Sequence, residues 1–170
     1  PAWVLRWDRF DPASEGTREV LCTLANGYWG TRGAVPGTHI SSVHYPGTYM
    51  AGVFNRLTSM VQGRVVETEH MVNIQDWTPL VVTPRHGRPL LPGEENLVEY
   101  GQEMDLRRGV LSRTMTFEDE QGRRTTVHTR QFTSLANRHL AAIELTVVAE
   151  NWSGDLTVRS KIEGRVANIN

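Results

Sequence analysis

The chain has 170 residues, enough for one domain of ordinary size with its own core. Its 18 basic and 19 acidic residues leave a net charge of −1, a balance that favours neither nucleic acid nor an anionic membrane as partner and suits a neutral ligand. No apolar run approaches the roughly 20 residues that span a bilayer, and no signal-peptide pattern opens the chain.

The most informative stretch comes early. Leu21 to Gly33 carries glycines at 27, 30 and 33 and the aromatics Tyr28 and Trp29 in its last seven residues, composition that suits a tightly turned surface loop. Tyr28, Trp29 and Arg32 offer flat, hydrogen-bonding side chains suited to a sugar or a neighbouring domain, and the plainer alternative is a buried turn between strands. The glycines form neither a dinucleotide fingerprint nor a phosphate loop. Cys22, the sole cysteine, sits between Leu21 and Leu24 and reads as a small buried hydrophobe in a reducing, cytoplasmic setting.

Further on, Tyr45, Tyr49 and Trp77 also fall in glycine- or proline-bearing segments, so they read either as exposed platforms or as caps on the ends of a sandwich. Val61 to Ile74 holds a pair of short strands centred on Val65 to Met71. Pro84 to Gly93, with three prolines and two glycines, is a surface loop. Val110 to Phe117 and Arg123 to Phe132 flank a polar turn and form a hairpin. Its second strand puts Thr125, Val127, Thr129 and Gln131 on one side, a polar character that suggests an edge or a covered surface. From Ala141 to Ala149 every odd position is apolar, the signature of a strand with one buried face. Asn151 to Asp155 then turns the chain into a strand with Leu156, Val158 and Ile162 inward and Arg159 outward. No long 3.6-residue apolar stripe occurs, so the class is all-β, a sandwich or barrel.

Candidate chemistry is sparse. Asp105 lies beside Arg107 and Arg108, and a structural ion pair is the better reading than a general acid. Glu94, Glu95, Glu67, Glu69 and Glu118 to Glu120 read as solvated charge. The six histidines lack metal-ligand spacing and no cysteine pair assists, so neither a metal nor a cofactor is expected.

Asn26-Gly27-Tyr28-Trp29-Gly30-Thr31-Arg32-Gly33 resembles the N-G-Y-x-G-T-R-G signature of glycoside hydrolase family 65, the maltose, trehalose and kojibiose phosphorylases. The resemblance continues in order through Tyr45 to Asn55, Val72 to Leu80, Met104 to Arg113, Ser134 to Ala136 and Asn151 to Gly154. Ala25, Cys22, Thr23 and Trp29 depart from the usual residues of the loop. The resemblance implies an antiparallel two-sheet super-sandwich of the galactose-mutarotase-like kind, with residues 1–170 forming a single, incomplete piece of the family's N-terminal domain. It implies a partner, the catalytic (α/α)6 barrel that carries the acid glutamate, and through it α-glucoside disaccharides and phosphate. The chain alone is then expected to be inactive, to shape the active-site mouth and to form a homodimer. Tyr28, Trp29, Arg32, Tyr49 and Trp77 are the candidate contacts with substrate or the catalytic domain. An autonomous carbohydrate-binding module is the rival reading, and a purely structural or dimerising domain the third.

Overall fold

The computed structural model describes residues 3–93 and 95–168; Glu94, read from sequence as solvated charge, lies outside them. The chain is nearly all β, arranged as an antiparallel sandwich. Its main layer is a five-stranded antiparallel sheet. In chain order its strands are β1 (Val4–Trp7), β8 (Leu97–Asp105), β9 (Val110–Glu118), β10 (Arg124–Thr133) and β11 (Ala141–Ala149), and this is also their spatial order. Against it lie two smaller sheets: β2 (Leu24–Ala25), β3 (Trp29–Thr31) and β4 (Thr48–Met50) in one, and β7 (Leu80–Pro84) with β12 (Leu156–Ser160) in the other. One short helix, α1 (Glu15–Leu21), precedes β2.

Period-two alternation decides which face of the main sheet is inside. Row by row across that face, the register sets Tyr100, Met115, Val127 and Val147 side by side, then Trp7, Gln102, Arg113, Thr129 and Leu145, then Leu5, Met104, Leu111, Gln131 and Ile143. The first row packs with Val35, Val82, Leu90 and Phe117 into one apolar cluster. Leu111 and Met104 pack with Cys22 and Leu24 into a second. Between the two clusters runs a belt of buried polar side chains, Gln102, Arg113 and Thr129. The opposite face is solvated and laced with ion pairs such as Arg6–Glu103 and Arg130–Glu144.

The hairpin read at 110–132 and the strand read at 141–149 form as expected. Of the two readings for β10, the covered surface is the one observed and the edge is not: β10 is interior, flanked by β9 and β11, and its Thr125, Val127, Thr129 and Gln131 side is buried, with Thr129 in the polar belt. The inward reading of β12 is overturned. β12 does not return along β11 but crosses to pair with β7, Leu156 opposite Pro84 and Ser160 opposite Leu80. Val158, expected inward, is 47% exposed, and Leu156 and Ile162 are exposed as well. Alternation reports that one face of such a strand is apolar, and within these residues nothing covers that face.

β5 (Phe54–Val61) and β6 (Arg64–Met71) pair only with each other. The pair read from sequence therefore starts earlier, at Phe54, and every residue of both strands is exposed. Gln62 and Gly63 join them with φ of 51° and 76°, the two left-handed residues of a tight hairpin turn.

Gly33 is required for a different reason: a Cβ there would lie 2.5 Å from the Cβ of Cys22 and 2.7 Å from its carbonyl oxygen. We expect Gly33→Ala to lower the unfolding free energy by about 2 kcal/mol or more. Gly16→Ala, with open space around the same helix-to-strand segment, should instead raise it by up to about 1 kcal/mol. Urea denaturation of the two variants measures the contrast, and equal midpoints would contradict this packing.

Candidate functional site

The glycine and aromatic segment is a hairpin followed by a close crossing, not an open loop. Leu24 pairs with Thr31 and Ala25 with Gly30, so Asn26 to Trp29 make the turn. Asn26 shapes it: its Oδ1 accepts from the backbone N–H groups of Tyr28 and Trp29 at 3.1 and 3.2 Å. Its Nδ2 donates to the carbonyls of Ser134 and Arg138 at 2.8 and 3.1 Å, fastening the turn to the segment after β10. Gly27 adopts φ 81°, the left-handed conformation that favours glycine.

Strand alternation then distributes the five candidate side chains rather than gathering them. On one face of the β2–β3–β4 sheet, Trp29 stacks on Trp77 with ring centroids 5.8 Å apart and 27° between planes. The Trp77 indole donates to the Thr31 hydroxyl at 2.9 Å, which fixes the pair. On the other face Arg32 lies over the Tyr45 ring, 4.9 Å from its centroid, and Tyr49 stands opposite Gly30. Burial and the neighbouring Tyr45 push the Tyr49 phenol up to about 12, so it stays a neutral hydrogen-bonding group throughout the physiological range. Tyr28 belongs to neither set. It sits at the turn, edge-on to His139 at 4.7 Å and under the Arg138 guanidinium.

Trp29, Trp77, Tyr28, Arg32 and Tyr49 are all half-buried. The two readings left open by the sequence, platform or cap, therefore meet in the middle: each side chain has one surface packed and one reachable. Each group could stack on a flat ligand or on a partner surface, yet no general acid lies among them. Asp105 is likewise committed to structure. Its Oδ1 accepts from the backbone of Arg107 and Arg108 at 3.0 Å, while its Oδ2 is 3.8 Å from the Arg108 Nε.

Behind this surface lies a charged centre that the sequence reading did not single out. Glu19, on α1, is completely buried. Its Oε1 meets His44 Nδ1 at 2.9 Å, its Oε2 accepts from the Tyr45 backbone N–H at 2.9 Å, and Arg32 lies 3.7 Å away. One turn earlier, Glu15 pairs with Arg18 at 3.1 Å. Burial nevertheless raises the Glu15 pKa, outweighing the Arg18 charge. Desolvation also raises the Cys22 thiol, in keeping with a packing residue rather than a nucleophile. The only sequence signal for α1 was the i, i+3 and i+4 spacing of Glu15, Arg18 and Glu19, which resembles any solvated charge pattern.

Among the described residues no group of three or more His, Cys, Asp or Glu is placed to hold a metal ion, and no helix is long and apolar enough to cross a membrane.

The sequence matches the description "Glycosyl hydrolase family 65, N-terminal domain" over residues 5–170. It is 40% identical over 166 residues to an uncharacterized glycosyl hydrolase of Mycobacterium tuberculosis, covering 98% of this chain and 12% of that protein. It is 32% identical over 172 residues to the kojibiose phosphorylase of Caldanaerobacter subterraneus subsp. tengcongensis, covering 98% of this chain and 20% of the relative. The solved structure named "Putative kojibiose phosphorylase from human microbiome" superposes with a TM-score of 0.77 at 19% identity, over 86% of this chain and 20% of that one. The chain thus spans a fifth or less of the length of these proteins.

Two outcomes test the centre and the turn. Removing the Asn26 side chain as Asn26→Ala breaks four hydrogen bonds and should cost about 2 to 3 kcal/mol in urea titration; an unchanged midpoint would show that the turn stands without it. Because the Glu15 pKa is raised above 4.5 on folding, its contribution is fully present below that pH and is lost as pH rises through the folded value. Thermal melts from pH 4 to 7 should therefore show a downward component in the wild type that Glu15→Gln removes.

Proposed function

Since the chain belongs to glycosyl hydrolase family 65 and matches its N-terminal domain, we propose that it is the non-catalytic β-sandwich of a longer α-glucoside phosphorylase or hydrolase acting on disaccharides. The observation that carries this reading is the match over residues 5–170 to an N-terminal domain, by a chain spanning only 20% of a kojibiose phosphorylase. In this reading residues 1–170 form a single domain. Its physical role is to pack on the catalytic (α/α)6 barrel, shape the mouth of the active site and support a homodimer. Substrate sugar and phosphate are met through the parent enzyme.

The half-buried aromatics support the interface role. The Trp29–Trp77 stack and the Arg32–Tyr45–Tyr49 group are each half-buried, with a packed back and a reachable front. Aromatic and arginine side chains of this kind are enriched where protein surfaces meet. The exposed apolar residues Leu156, Val158 and Ile162 and the free edge of β11 support association too, since an unpaired strand with an apolar face recruits another strand. The single buried thiol of Cys22 supports a reducing, cytoplasmic location.

The isolated chain, incubated with maltose, trehalose or kojibiose and phosphate, is expected to release neither glucose nor glucose 1-phosphate above a mock preparation. A positioned general acid contributes about 10² to 10⁴-fold to such reactions, and the proposal assigns that group to the barrel. Product above background would overturn the assignment. Saturable quenching of tryptophan fluorescence by a glucan, lost in Trp77→Ala, would replace it with an autonomous carbohydrate-binding module.

A further inference from the structure

The polar belt across the buried face of the main sheet carries more hydrogen-bonding capacity than the protein itself uses. Arg113 is the largest fully buried side chain. Its Nε donates to Gln102 Oε1 at 2.9 Å and its Nη2 donates to the carbonyl of Gly33. Nε and Nη2 form one edge of the planar guanidinium, so Nη1 points from the opposite edge. Gln102 lies on β8 to one side of Arg113, and the residue paired on the other side, on β10, is Thr129.

Thr129 is buried and its hydroxyl has no partner; neither has Arg113 Nη1. Two residues along the same face of β10, Gln131 is 1% exposed, and both its Oε1 and its Nε2 are unpartnered. Four unmatched polar atoms therefore belong to directly paired or adjacent positions of one buried face. Each left bare would cost about 1 to 3 kcal/mol, and native interiors leave few such groups unpaired.

The chemistry of the four atoms selects the ligand. Arg113 Nη1 and Gln131 Nε2 can only donate, Gln131 Oε1 can only accept, and the Thr129 hydroxyl can do either. A metal cation is repelled by the guanidinium and finds one amide oxygen. A chloride or other small anion serves the donors and leaves Gln131 Oε1 bare. A molecule that both donates and accepts, and is small enough for the interior, serves all four. We propose that Arg113, Thr129 and Gln131 form an internal hydration site, in which a short chain of water molecules runs between β9 and β10 and completes the belt. Diagonal neighbours on a sheet stand about 7 to 8 Å apart at the backbone, so waters on this face lie within reach of all three side chains. Buried waters typically make about three hydrogen bonds each, which matches the supply here.

The test uses the 170-residue chain. Water oxygen-17 relaxation dispersion should detect long-lived internal water, and the doubly substituted Thr129→Val, Gln131→Leu protein should show a smaller dispersion amplitude and a melting temperature lower by about 2 to 4 °C. An unchanged amplitude, or a higher melting temperature in the double variant, would overturn the proposal by showing a dry site. In the unsubstituted protein, exchange-separated contacts between water and the Gln131 side-chain amide protons should be present, a measurement that does not depend on the variant folding. Their absence would count against the site. A melting temperature that rises with chloride but not with an equal ionic strength of a large anion would replace water with an anion.

Discussion

A carboxylate with no contact with solvent organises the region that gives this chain its character. Glu19 receives a proton donor from a side chain, His44, and another from the backbone, Tyr45, and has a guanidinium, Arg32, nearby. An ion in such a place is costly unless every lone pair is occupied, so the segments that occupy them are held in one arrangement. The carbonyl of the same residue accepts from Gly33 N–H at 2.8 Å, and the carbonyl of Gly33 accepts in turn from Arg113 on the main sheet. Helix, crossing strand and sheet are thereby linked through one carboxylate and one glycine, and the absence of a Cβ at Gly33 permits the approach.

This connectivity explains why the conspicuous aromatics do not form a single pocket. They ride on a three-stranded sheet whose back is fixed by the charged centre, and alternation sends Trp29 to one face and Arg32 to the other. A surface built this way exposes two separate aromatic groups, one on each face of the sheet. Buried hydrogen bonds tie the two modest apolar clusters together, as Arg113 shows by donating both to Gln102 and to the carbonyl of Gly33.

Much of the main sheet was legible in the sequence. The odd-numbered apolar residues of 141–149 and the polar turn between 117 and 123 report burial and chain reversal directly, because both are local. Which strand β12 joins was not legible, since Leu156 and Val158 mark a face and carry no address for partners as distant in sequence as Pro84 and Val82. The buried face of β10 was only half legible for a related reason: Thr129 and Gln131 look like edge residues unless Arg113 and Leu111, opposite them on β9, are known to be buried. The glycine and aromatic segment was recognisable as a pattern, whereas Ser134 and Arg138, which fasten its turn, lie 108 and 112 positions from Asn26.

The pairing of β1 with β8 has a consequence for synthesis. Val4 sits opposite Asp105 and Trp7 opposite Gln102, so β1 has no partner strand to join until roughly a hundred further residues have been made. At about 5 to 20 residues per second, β1 waits for about 5 to 20 seconds as an unpaired segment bearing Val4, Leu5 and Trp7, while the consecutive strands β8 to β11 can zip in order as they appear. A change in β1 therefore acts twice, on that unpaired interval and on the packing of Leu5 and Trp7 against the second apolar cluster.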